Sequence, residues 1–132
     1  MKNWIPKAIA YLDKSLGKIP SELNEIDWKA TLSPNNNKLC RHIAAFSNLP
    51  GGGFLVFGVD DKTATLLGIT KSEADNIVER MASLCRDGVN PLVSIDHSIE
   101  TFREQELLFI HIKESAVKPV HINGQTIEES YI

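Results

Sequence analysis

The sequence predicts an α+β domain: one mixed or antiparallel sheet of about six strands, two main helices packed on it, and a further N-terminal helix. Three observations carry this reading. Residues 54–59 form an unbroken apolar run of the kind a central strand needs when both its faces are covered. Residues 34–47 and 71–87 repeat apolar side chains at helical spacing. Residues 92–102 and 106–114 alternate apolar and polar positions, the period of a half-buried strand. At 132 residues, with 42% hydrophobic and 23% charged content, the chain has the size and balance of a single globular domain with a real core.

Taken in order, residues 3–16 place Ile5, Ala8, Ile9, Leu12 and Leu16 on one helical face, with Gly17 as a stop. This amphipathic segment, residues 1–18, packs on its own domain or on a neighbouring subunit. It lacks the apolar core of a secretory signal, and no apolar run approaches the roughly 20 residues of a membrane span. The expectation is a cytoplasmic protein without membrane association. Residues 19–132 form the domain proper. Ile26, Trp28 and Ala30 alternate with Glu25, Asp27 and Lys29, so a strand here puts Asp27 and Lys29 on one face and Trp28 in the core.

Ser33 followed by Pro34 reads as the cap and first residue of a helix. Leu39, Ile43 and Phe46 form its buried stripe, with Lys38, Arg41 and His42 toward the other side. Gly51, Gly52 and Gly53 end that helix and lead into the apolar strand. A phosphate-cradling loop runs from strand through glycines to helix. Here the order is reversed and no Gly-Lys-Ser/Thr follows, so nucleotide binding by this loop is not expected. Asp60 and Asp61 close the strand, Asp61 as a turn residue, and residues 65–69 suggest another strand. Thr70 and Glu73 have capping-box spacing and open a helix that Gly88 and Pro91 end. Asn123-Gly124 between two short β-prone triplets signals a hairpin. The last residues, Tyr131-Ile132, look like a cut through an element, so a further C-terminal domain is expected.

Charge is unevenly spread. Residues 1–42 carry seven Lys or Arg against four acids, whereas residues 43–132 carry seven against thirteen. That split leaves room for one basic face on a chain whose net charge is −3. The plain alternative is an evenly speckled surface. Cys40 and Cys85 lie on apolar helical faces without zinc-ligand spacing and read as buried, reduced thiols. Nor do His42, His97, His111 and His121 have ligand spacing among them.

Several pieces together resemble the Schlafen-type Alba-like domain, found in Schlafen proteins and bacterial regulators. They are Glu22, Asp27-Trp28-Lys29, Ala45-Phe46-Ser47-Asn48, Gly52-Gly53, Phe57-Gly58-Val59-Asp60-Asp61, Gly68-Ile69, Lys118-Pro119-Val120-His121 and Tyr131-Ile132. One departure is Asp27, at a position more often glutamate. The resemblance implies a nucleic-acid-binding or regulatory module, with DNA or RNA as partner, in which Lys29, Lys38 and Arg41 meet backbone phosphates. It also implies an alternative, a metal-dependent RNA endonuclease. In that case Glu22, Asp27 and Asp60 hold Mg²⁺ or Mn²⁺ and Lys29 steadies transition-state charge. The competing reading of these acids is a solvated edge, with Asp27 merely pairing Lys29. Because Schlafen proteins carry two related lobes in one chain, a homodimer is a further expectation, and a protein-interaction domain without nucleic-acid activity is the third reading.

Overall fold

A computed structural model describes residues 2–16 and 25–123. In chain order it contains α1 (Ile5–Ser15), β1 (Ile26–Lys29), α2 (Asn36–Ser47), β2 (Gly53–Phe57), α3 (Lys71–Asp87), β3 (Val89–Asn90), β4 (Ile95–Phe102), β5 (Gln105–Ile112) and β6 (His121–Ile122). The fold is α+β, as the sequence predicts. Its strands divide into two sheets: four in the order β1-β2-β5-β4, and two in the pair β3-β6.

β2 is the middle of the molecule. It pairs in parallel with β1, from which α2 carries the chain over, and antiparallel with β5. All five of its residues are buried. The side chains of Phe54 and Val56 meet one apolar cluster, with Trp4, Ile5, Ala8 and Leu12 from the α1 segment and Leu107 and Phe109 from β5. Those of Leu55 and Phe57 meet another, with Leu39, Ile43 and Phe46 of α2, Ile77 and Met81 of α3, and Leu108 and Ile110 of β5. Period-2 alternation on a strand covered on both faces thus produces two cores and three layers. It also explains why β5 is more buried than a half-buried strand would be: residues 107–110 are all enclosed, whereas β4, at the sheet edge, alternates.

Local chemistry sets the helix ends. Thr70 caps α3, its hydroxyl accepting the Glu73 N–H at 3.2 Å and donating to the Glu73 carboxylate at 2.9 Å, the capping pair read from the sequence. α2 begins two residues later than expected. Asn35 rather than Ser33 caps it, accepting the Lys38 N–H at 3.2 Å, while Ser33 accepts the Asn35 N–H and Pro34 stays outside. The expected strand at 65–69 contracts to one bridge, Val59 with Leu66. Its amides are drawn elsewhere, Leu67 and Gly68 to the Gly58 carbonyl and Ile69 to Glu106. His121 and Ile122 pair with β3. The hairpin expected at Asn123-Gly124 extends outside the described residues, as do Gly17, Tyr131 and Ile132. Trp28 is half-buried, with its indole N–H on Ser15 Oγ at 3.1 Å.

Candidate nucleic-acid interface

The candidate site lies where β1 ends, beside the outer face of α2 and the turn that follows β2. The β1 register supplies Asp27 and Lys29 from one side of the strand, as its period-2 pattern predicts. The Lys29 carbonyl accepts the N–H groups of Gly58, at 2.9 Å, and Val59, at 3.1 Å. The acids at 60 and 61 are therefore indexed to Lys29 by backbone bonds. Gly58 makes this junction possible. Its φ is +110°, and a Cβ there would lie 2.9 Å from Leu107 Cδ2 and 3.2 Å from the Gly68 backbone.

Lys29 holds the centre. Its ammonium lies 3.5 Å from Asp27 Oδ2 and 3.9 Å from Asp61 Oδ2, with the Lys29 side chain only 20% exposed. His42, from α2, brings Nδ1 to 3.4 Å of the same Asp27 oxygen, and its ring meets Phe46 edge-on. Burial holds the His42 pKa below its ordinary value. The Asp27 carboxylate works against that shift, and Lys29 and Lys38 reinforce it. Lys38 stands one helical turn before His42 and acts on it electrostatically, and both Lys38 and Arg41 are exposed on α2. Arg80 of α3 adds its guanidinium at the start of α2, with Nε 3.1 Å from Asn36 Oδ1.

Asp60 is differently employed. Its Oδ1 accepts the N–H of Lys62 at 2.8 Å and of Thr63 at 3.1 Å, folding the turn back on itself. Those backbone bonds, Lys62 first, hold its pKa below the usual carboxylate range. Of the adjacent acids, it is Asp61 that reaches Lys29. Glu22 lies outside the described residues. Among the described residues no three His, Cys, Asp or Glu side chains are grouped to hold a metal ion. The donor set implied by the resemblance is thus represented here by Asp27 and by an Asp60 already engaged with its own turn.

Sequence reasoning passed over two contributors, His42 and Asp61. His42 had a signal in its place one turn after Lys38. For Asp61 the contact with Lys29 is tertiary, and sequence spacing does not carry it. Asn48, the last residue of the Ala-Phe-x-Asn piece, is structural. Buried at the end of α2, it accepts the Val120 N–H at 2.8 Å and donates to the Val120 carbonyl at 3.2 Å.

A three-layer α+β module with a parallel strand–helix–strand unit and a charged rim at its β1 end is the class that fold and site define. The profile described as Schlafen, AlbA_2 matches residues 22–132. The chain belongs to the Schlafen AlbA_2 family. Among curated proteins none matches it. One similar solved structure is the N-terminal domain of a protein from Nitrosomonas europaea described as ATP-dependent DNA helicase RecG-related. It has a TM-score of 0.68 and 24% identity, covering 95% of this chain and 88% of that one. Another is a protein from Corynebacterium diphtheriae, with a TM-score of 0.55 and 19% identity over 89% of this chain. This chain spans 23% of that protein's length. At these identities the likeness is one of fold. Among the described residues no helix is long and apolar enough to cross a membrane.

Proposed function

We propose that this domain binds nucleic acid through backbone phosphates, using Lys29 at the centre and Lys38 and Arg41 on α2 as its cationic rim. The observation that carries the reading is the pair of exposed cations, Lys38 and Arg41, on the outer face of α2. Family membership and a fold shared with a domain of a helicase-related protein point the same way. Asp27 and Asp61 offset much of the Lys29 charge, so the exposed Lys38 and Arg41 supply the attraction for a phosphate backbone, with Lys29 a positioned donor beside them. The test is fluorescence anisotropy with labelled RNA and DNA of one sequence. Lys38→Glu combined with Arg41→Glu lowers affinity at least about tenfold, as expected for reversing two phosphate contacts, while Lys71→Glu on α3 leaves it unchanged. Equal binding by the double variant, or no binding by the wild type, rejects the proposal.

A second reading, a metal-dependent ribonuclease, draws on one observation: Asp27 and Asp61 meet at a single ammonium. Two carboxylates sharing one cation are the kind of pair a Mg²⁺ or Mn²⁺ ion also holds, Asp61 standing here where the resemblance implies Asp60. Such an ion supplies an activated water for phosphodiester hydrolysis. On this reading Mn²⁺-dependent cleavage of structured RNA disappears in Asp27→Asn and in the presence of chelator. Cleavage that persists in Asp27→Asn removes it.

A further inference from the structure

We infer that His111 is an acid-sensitive latch for the N-terminal helix: neutral, it lets Trp4 and α1 lie against the sheet, and protonated, it releases them. This is independent of the nucleic-acid reading. The His111 ring sits on β5 with its centre 5.4 Å from the Trp4 ring and 5.0 Å from the Phe54 ring. Trp4 and Phe54 are themselves 6.0 Å apart, so the three rings close on one another where α1 begins. His111 Nε2 lies 3.3 Å from the Gly51 carbonyl oxygen. A carbonyl only accepts, which assigns the proton of the neutral ring to Nε2. Nδ1 is buried and, among the described residues, has no hydrogen-bond partner.

Protonation would place a charge and a new donor at that enclosed nitrogen. The charged groups facing the ring divide. Lys7 on α1 and Lys113, just after β5, oppose a positive imidazole, and Asp96 on β4 favours it. Asp96 is itself committed, accepting from the Trp4 indole at 2.8 Å and from the Lys2 ammonium. Glu114, the other carboxylate nearby, is held by the Gly51 N–H at 2.8 Å and by Lys118. Attraction between an imidazolium and the Trp4 and Phe54 faces runs the other way. The rings are tilted at 40° and 32° rather than stacked, which weakens that term. Burial is the largest effect, and the balance holds the His111 pKa below its ordinary value. Once α1 lifts away, the ring regains water and an ordinary proton affinity, so acid favours the open form.

Hydrogen exchange on the full chain at pH 7.5 and pH 5.5, expressed as protection factors, tests this. With a released ring titrating near 6.5, opening of α1 is favoured by up to about tenfold more at pH 5.5. The expected result is a several-fold loss of protection across residues 8–15 with α3 unchanged, and no such loss in His111→Phe. Protection of α1 that is equal at both pH values, or a loss that survives in His111→Phe, overturns the latch. Should that variant not fold, the ring of the wild-type protein decides by NMR titration. A midpoint below about 6.5 sustains the inference, and one at or above it overturns it.

Discussion

At the scale of single residues, the site is a competition for a few partners. Asp60 and Asp61 are chemically identical neighbours, yet one folds a turn and the other pairs with Lys29. That division follows from the Lys62 and Thr63 N–H groups engaging Asp60, which leaves Asp61 for a tertiary contact that spacing does not carry, whereas the shared side of Asp27 and Lys29 could be read, because strand alternation is local. Asn48 shows how a residue quoted within a motif can serve packing. Asn48→Ala leaves the Val120 N–H and carbonyl without their buried partner and is expected to cost about 2 kcal/mol, read as a lowered thermal midpoint. Stability should also depend on pH in two windows. His42 and His111 have folded pKa values below their unfolded ones, so the unfolded chain takes up protons first as pH falls. Their contribution is full above about 6.5 and declines below it. Asp60, Asp96 and Glu114 are also held low, by backbone or side-chain donors. Their contribution is present above the ordinary carboxylate range and is lost as pH drops below about 4. Denaturant unfolding at pH 7.5, 5.5 and 3.5 should show both declines; a midpoint that rises between 7.5 and 5.5 would contradict the first.

At the scale of elements, what was legible depended on how local the determining forces are. The Thr70–Glu73 cap of α3 was readable because both partners lie within one turn. The start of α2 shifted because Asn35, an equally good cap two residues on, wins over Ser33. The expected strand at 65–69 was lost to tertiary hydrogen bonding, its amides going to Gly58 and Glu106. α2 carries the functional argument: its buried face secures one core through Leu39, Ile43 and Phe46, which leaves Lys38 and Arg41 exposed. The charge-reversal pair on this helix should therefore weaken binding at least about tenfold while costing no more than about 1 kcal/mol of stability, since surface substitutions away from caps and cores are near neutral. A double variant that is unfolded by circular dichroism would show that these side chains are structural instead.

At the scale of the whole molecule, the unbroken apolar run at β2 declared the architecture. A strand with no polar face needs cover on both sides, and α1 on one face with α2 and α3 on the other provide it. The division of strands into two sheets was not legible, because β3 and β6 are two residues each and find one another only through the tertiary fold. The same architecture gathers cations from α2 and β1 on one rim of a chain whose net charge is −3. Net charge therefore repels a polyanion while the rim attracts it, and the rim must dominate at short range. The most direct measurement is the dependence of duplex-binding affinity on salt, for the wild type and for Lys38→Glu with Arg41→Glu. The account predicts a straight decline of log K with log salt, about 0.9 per phosphate contacted, and a slope shallower by about two in any residual binding of the double variant. Affinity that does not change with salt, or identical slopes for the two proteins, would contradict it.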